Sequence, residues 1–341
     1  MRSFDFAQDD TAFCICLLGF RSSHRRPRMI NKAFVLGAGL GTRLRPLTES
    51  CPKPLIPIFH KPLITFGLDH LIAAGVRSFV INTHRLPDQF NELFGTGEYA
   101  GYPVTLIHEP ELLETGGGIK NAEGLLGNEP FITYSGDVLT DVNLHALIEE
   151  HFARGNDVTL ALRDTGLASA IALRDGRVVD ISNRYGTPGN FDFANIAVWN
   201  PKILNRLPPN RKISFIPVLA QWIGDKGKIG GTILNDGHWF NIGSAADYLH
   251  VHERIVAERW KPAFVGEADW PVQIHPTAEV ASDARLLGCT VIGSNCKIGS
   301  GAVLEDTILW PGAQIASRSR LSHCIVRSHQ VVNGVHNDSV L

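Results

Sequence analysis

The stretch AFVLGAGLGTRLRPLTESCPKPLIPI, residues 33–58, decides how the chain is read. Strand-forming residues run into Gly37, Gly39 and Gly41, then Arg43 and Arg45, then Pro46, Pro52 and Pro54 around Lys53. AFVLG carries no polar residue, which suits a strand buried on both faces of a parallel sheet. Glycines let backbone N–H groups approach an anion without Cβ interference. Spacing excludes two common phosphate loops. A dinucleotide fingerprint needs a third glycine where Thr42 stands, and a Walker loop needs Gly-Lys-Ser/Thr, which is missing. The prolines forbid a long helix, so an ordered loop bearing Arg43, Arg45 and Lys53 is expected. Guanidinium forks and an ammonium point charge suit a polyanion.

Outward from that loop, strands and helices alternate. Residues 61–75, 87–95, 116–126 and 143–155 read as helices, and 77–84, 104–109 and 131–135 as strands. Alternation of this kind predicts an α/β fold: a Rossmann-like, mixed but mostly parallel sheet with helices on both faces. After Asp157 the pattern changes. Residues 169–182 predict a hairpin around Asp175-Gly176, and 230–242 a second around Asn235-Asp236-Gly237. A helix over 244–260 has Ser244 as its N-cap. His250 and His252 stand two apart on it and point different ways, a poor metal pair.

From about Pro271 the chain repeats. Ile274, Val280, Leu286, Ile292, Ile298 and Leu304 are spaced by six, and Ala278, Ala284, Thr290, Cys296 and Ala302 follow four positions after the first five. Neither a helix nor a simple strand has that period. A parallel β-helix does, with the aliphatic residue inside each hexad. Ile315 and Leu321 resume the spacing out of phase. Three segments are expected: a disordered extension or misplaced start over 1–28, with a targeting segment as the alternative, an α/β nucleotide-handling domain over 29–262 and a β-helix over 271–341.

With 341 residues and a formal charge of −2, mixed along the chain, no polybasic face points to nucleic acid or anionic lipid. No apolar run reaches the ~20 residues of a membrane span. Six cysteines without a regular framework suit a reduced, cytoplasmic protein.

The opening stretch resembles the signature of the sugar-1-phosphate nucleotidyltransferases, and further family features follow in order over residues 33–250. The resemblance implies that a sugar 1-phosphate attacks the α-phosphorus of a nucleoside triphosphate and releases pyrophosphate. It implies Arg43, Lys53 and Asp137 as the catalytic set, with Asp137 of YSGDVLTD (134–141) a ligand of Mg²⁺. Leu36, Gly37, Ala38, Gly39, Gly41, Thr42, Arg43 and Lys53 would hold the nucleotide's phosphate end. EPELLETGGGIKNA (109–122) resembles the base-reading loop. Backbone around Glu114, Thr115, Gly116 and Gly117 would face the base, with Glu109 or Glu111 at its edge. Asn183, Arg184 and Asn195 are the implied sugar-phosphate contacts. A left-handed winding of the tail is also implied.

Two departures stand out. Asn241 occupies the place of a second metal-binding aspartate; its amide oxygen can ligate Mg²⁺ but brings no charge. Asn183-Arg184 replaces a glutamate-lysine pair that contacts the sugar phosphate. Segments resemble three kinds of relative: mannose-1-phosphate guanylyltransferases, N-acetylmuramic acid 1-phosphate uridylyltransferases and heptose-1-phosphate guanylyltransferases. The partners are thus GTP or UTP and a sugar 1-phosphate. A carboxylate at the base edge leans towards guanine. Asn241 also admits another class, a catalytically weak nucleotide-sugar-binding regulatory or scaffold subunit. Acyl transfer on the β-helix needs a base histidine, and the clear hexads hold only His275. An uncapped β-helix end predicts a homo-oligomer.

Overall fold

The computed structural model describes residues 28–166, 169–268 and 270–341. The reading of residues 1–28 lies, apart from Arg28, outside them. Ten strands form one sheet in the order Ile171–Arg174, Arg177–Ile181, Ile229–Ile233, Val158–Arg163, Asp192–Trp199, Phe131–Ser135, Lys32–Leu36, Ser78–Thr83, Tyr102–His108 and Glu98–Tyr99. Lys32–Leu36 runs parallel to both neighbours, with Leu36 beside Asn82 on one side and Ser135 on the other. Asp192–Trp199 is antiparallel to the strands flanking it. The sheet is mixed and mostly parallel, as the alternation implied.

Strand geometry sends successive side chains to opposite faces. Ala33 and Val35 therefore join one core with Ile64, Leu68, Phe90 and Leu147 of three helices. Phe34 joins another with Ile119 and Leu219. Full burial of a side chain as large as Phe34 contributes about 1.5–3 kcal/mol, so a polar residue there would break the layer. Helix ends follow local chemistry. Asn143 Oδ1 accepts from Ala146 N at 3.1 Å to start Leu144–Arg154, and Gly155, at φ 58°, ends it.

The first hairpin is present: Ile171–Arg174 and Arg177–Ile181 pair antiparallel around Asp175 (φ 49°) and Gly176 (φ 75°). The second is not. Ile229–Ile233 lies parallel to Val158–Arg163, whereas Trp239–Asn241 pairs with Val138–Thr140 in a separate ribbon. The turn between them is gathered by a distant side chain. Arg163 donates to the carbonyls of Asn235 at 3.1 Å, Asp236 at 3.3 Å and Gly237 at 3.2 Å. That clamp steers the chain across the sheet edge instead of back along it.

The tail winds as a left-handed parallel β-helix whose short strands fall into three parallel sheets. Val280 pairs with Ile298, eighteen residues on, whereas Ile298 pairs with Ile315, seventeen on. One corner has lost a residue between Leu304 and Leu309, which explains the phase break. The β-helix does not stand apart. Leu44, Leu47, Ile56 and Ile58 of the opening loop share one core with Tyr248, Trp310 and Ile325. Trp310 Nε1 donates to Tyr248 Oη at 3.0 Å, and that hydroxyl donates to the Pro57 carbonyl at 2.5 Å.

Candidate active site

Parallel strands place ligands at their carboxyl ends. There Lys32–Leu36 opens into the glycine loop, beside the end of Phe131–Ser135. A cavity of about 530 Å³ occupies this edge. Its walls include Leu36, Gly37, Ala38, Gly39, Gly41, Thr42, Arg43, Lys53, Glu114, Thr115 and Asp137. These residues, scattered over a hundred positions of sequence, are brought together by the sheet register.

Each wall has a local cause. The prolines cut the loop into short turns, Thr42–Leu44, Leu47–Ser50 and Lys53–Leu55. Leu44 and Leu47 are buried while Arg43 and Arg45 face solvent, so the apolar residues anchor the loop and free its cations. Gly37 must be glycine: a Cβ there would lie 2.6 Å from the Asn82 carbonyl oxygen. Lys53 Nζ reaches Asp137 Oδ2 at 2.5 Å, joining the loop to the segment after Phe131–Ser135. The Lys53 side chain is 10 % exposed and that of Asp137 32 %, so the ammonium is set into the wall and the carboxylate is open to the cavity. Burial pushes the Cys51 thiol up to about 12, which leaves it a thiol at neutral pH and no nucleophile.

The base-side expectations divide. Glu114, at φ 60°, and Thr115 line the cavity. Glu111 is exposed outside it, and Glu109 is buried with both carboxylate oxygens engaged, by Asn82 Nδ2 and by Leu113 N. The N–H groups of Gly116 and Gly117 both donate to the Ile213 carbonyl, at 2.8 and 2.9 Å, so they face neighbouring chain and not the cavity. Those bonds carry Ser214 into the wall.

Asn183, Arg184 and Asn195 lie outside this cavity. Asn183 (φ 56°) and Arg184 sit on an exposed turn whose Tyr185 and Thr187 N–H groups donate to Asp180 Oδ2 at 2.8 and 2.9 Å. Asn195 (φ 63°) marks the irregular step in Asp192–Trp199. Asn241 pairs in register with Val138, so it stands at the same ribbon end as Asp137, exposed and outside the cavity lining. His250 is half exposed near Glu253, while His252 is buried and bonded to Phe59 N and the Tyr248 carbonyl.

The Asp137 carboxylate in the cavity wall and the Asn241 amide oxygen at the same ribbon end are hard oxygen donors of the kind a divalent cation takes. Oxygen-only donors fit Mg²⁺, which keeps waters and takes the rest of its shell from phosphates. No cluster of three or more His, Cys, Asp or Glu residues suited to a metal exists among the described residues.

Several wall residues escaped the sequence reading: Leu40, Leu44, Pro54, Leu112, Ser135, Ser214 and Gly243. So did Asn82, behind the wall. Asn82 had left a trace, as a polar residue inside the apolar strand FVINT. Ser214 had not.

A model of the nucleotidyl transferase family matches residues 32–258. The chain belongs to that family. A second model, described as the GMPPB C-terminal domain, matches residues 269–340 of this nucleotidyl transferase. Mannose-1-phosphate guanylyltransferase of Mycobacterium tuberculosis is 32 % identical over 294 residues, covering 83 % of this chain and 80 % of that one. N-acetylmuramate alpha-1-phosphate uridylyltransferase of Neisseria meningitidis serogroup B is 44 % identical over 121 residues, 35 % of this chain and 52 % of its own. The solved inositol-1-phosphate CTP transferase from T. maritima superposes with a TM-score of 0.54 at 18 % identity, over 65 % of this chain and 92 % of that one. That last likeness shows the fold alone.

Proposed function

We propose that the protein joins GTP and mannose 1-phosphate, or a closely similar sugar 1-phosphate, to give a GDP-sugar and pyrophosphate. One observation carries the reading. A single cavity holds the glycine turn, Arg43 and the Lys53–Asp137 pair. The guanylyl assignment is supported by the Mycobacterium relative and by the matching C-terminal domain. It does not draw on Glu109, whose oxygens are taken.

The sugar phosphate is already an anion, so no side-chain nucleophile is needed. Its oxygen forms a bond to the α-phosphorus, and the bond from that phosphorus to the β-phosphate oxygen breaks. Repulsion between two anions is the obstacle, and positioning with charge neutralisation lowers it. The glycine turn receives phosphate oxygens. Arg43 grips the β- and γ-phosphates that leave. Lys53 exchanges its contact with Asp137 for the α-phosphate, where charge grows in the transition state. Mg²⁺ held by Asp137 and Asn241 would supply Lewis-acid stabilisation of the phosphate oxygens. Asn183, Arg184 and Asn195 would take the sugar phosphate.

The uridylyltransferase relative favours a second reading, with UTP as the donor. Pyrophosphate release over a panel of triphosphates and sugar 1-phosphates separates them. Turnover with GTP and mannose 1-phosphate alone is expected. Turnover confined to UTP would install the second reading. Silence with every pair, alongside tight nucleotide-sugar binding, would make the protein a sensor.

Two further features complete the proposal. Val331 and Val335, 71 % and 67 % exposed on the last coil, are the surface through which copies of the chain would associate. Unpaired Cys51, Cys289, Cys296 and Cys324 support a reducing, cytoplasmic setting.

A further inference from the structure

Asn82 and Glu109 are 2 % and 1 % exposed, and neither lines the cavity. Asn82 Oδ1 accepts from Gly37 N at 2.9 Å and from Ala38 N at 3.3 Å. Asn82 Nδ2 donates to Glu109 Oε1 at 2.8 Å, and Glu109 Oε2 accepts from Leu113 N at 3.0 Å. Chemistry allows one orientation of the amide. Main-chain N–H groups only donate, so Oδ1 must face Gly37 and Ala38; a carboxylate only accepts, so Nδ2 must face Glu109. Room for the pair is built in, because a Cβ on Gly118 would stand 2.8 Å from both Asn82 Nδ2 and Glu109 Oε1.

The two ends of this chain of bonds are the two walls of the cavity. One end is the turn at Gly37 and Ala38. The other is Leu113, next to Glu114 and Thr115. We infer that Glu109 and Asn82 are a positioning relay: one buried carboxylate fixes the phosphate-side turn against the start of the helix Glu114–Asn121 on the base side. The sequence offers Glu109 as a reader of the base edge; the relay gives it a different task. The inference rests on reading this cavity as the nucleotide site.

Donor and acceptor counting supplies the test. In Glu109→Gln, the new amide can satisfy Asn82 or Leu113 but not both, since its Nε2 must face another donor. In Asn82→Asp, an acceptor faces the Glu109 carboxylate and like charges meet. The double change restores every partner. The carboxylate introduced by Asn82→Asp would accept from Gly37, Ala38 and the glutamine Nε2, and the glutamine Oε1 would accept from Leu113. Each single variant is expected to lose about tenfold or more in kcat/KM for the triphosphate, with the sugar 1-phosphate KM within about threefold. The double variant is expected to return to within about threefold of the parent, and no variant should shift the GTP to UTP preference.

Amide hydrogen exchange over Gly37 and Ala38 reads the relay without turnover: protection falls in each single variant and returns in the double. The relay is overturned by Glu109→Gln with parental kinetics and protection, or by a double variant no better than the worse single. It is also overturned if Glu109→Gln shifts the base preference about tenfold while Asn82→Asp does not, since Glu109 would then be reading the base. A parent silent with every substrate pair, whose exchange pattern still follows the relay, would count against the proposed function alone.

Discussion

Lys53 Nζ and Asp137 Oδ2 stand 2.5 Å apart, so the cation assigned to the α-phosphate and the carboxylate assigned to the metal are each other's partners. On the proposed reading, a metal ion at Asp137 would weaken that contact and free Lys53 for the phosphate. Lys53→Met should cut turnover about a hundredfold while lowering the half-saturating Mg²⁺ concentration about threefold, because Asp137 loses its competitor. Metal titration of the steady-state rate checks both. An unchanged half-saturation point would separate the two roles.

Register places Asn241 beside Val138, at the ribbon end that carries Asp137. Asn241→Asp adds a second carboxylate to the proposed metal shell. Half-saturating Mg²⁺ should fall about tenfold. A parental titration curve would remove Asn241 from that shell.

Tyr248 links Trp310 of the β-helix to Pro57 behind the cation loop. Tyr248→Phe leaves a buried indole N–H and a partly buried carbonyl unpaired, at a cost of about 2–4 kcal/mol. Calorimetry should show the melting temperature fall by about 3–6 °C in one transition. A parental melting temperature would show that this bridge contributes nothing; two separate transitions would show that the β-helix unfolds alone.

Burial lowers the pKa of His70, His151 and His252 from 6.5 to about 4. Above pH 6.5 these rings are neutral in folded and unfolded chains alike. Between pH 6.5 and 4 the unfolded chain takes up protons that the folded chain refuses, so stability falls as pH falls. Each ring contributes a slope of up to about 1.4 kcal/mol per pH unit. Thermal melts from pH 7.5 to 4.5 should show the decline beginning near 6.5; a flat profile would contradict it.

Val331 and Val335 are exposed apolar residues on the last coil. Replacing both by lysine should reduce the mass measured by light scattering to that of one chain. An unchanged assembly mass would place the interface elsewhere.

Much of this architecture is legible in the sequence because it follows from local periodicity. AFVLG, the alternating helices and the Asp175-Gly176 hairpin need only neighbouring residues to declare themselves. The hexads predict which side chains stack, and even their phase break has a physical correlate in one shortened corner. What escaped the reading depends on distant partners. Asn235-Asp236-Gly237 looks like a hairpin turn until Arg163, seventy-two residues from Asn235, gathers its carbonyls. Glu109 looks like a free carboxylate until Asn82 and Leu113 occupy it. Ser214 enters the cavity wall because its neighbours Ile213 and Phe215 bond to Leu113, Thr115, Gly116 and Gly117, far away in sequence.

Leu44 and Leu47 pack into the same apolar mass as Trp310 and Ile325, although nearly the whole chain separates them in sequence. The tail is thus a mould on which the guanidinium-bearing ribbon sets. A chain clipped before its last coils could keep the ten-stranded sheet and still present Arg43 on an unsupported strip. Damage at the far terminus would then register in an assay as a defect at the front.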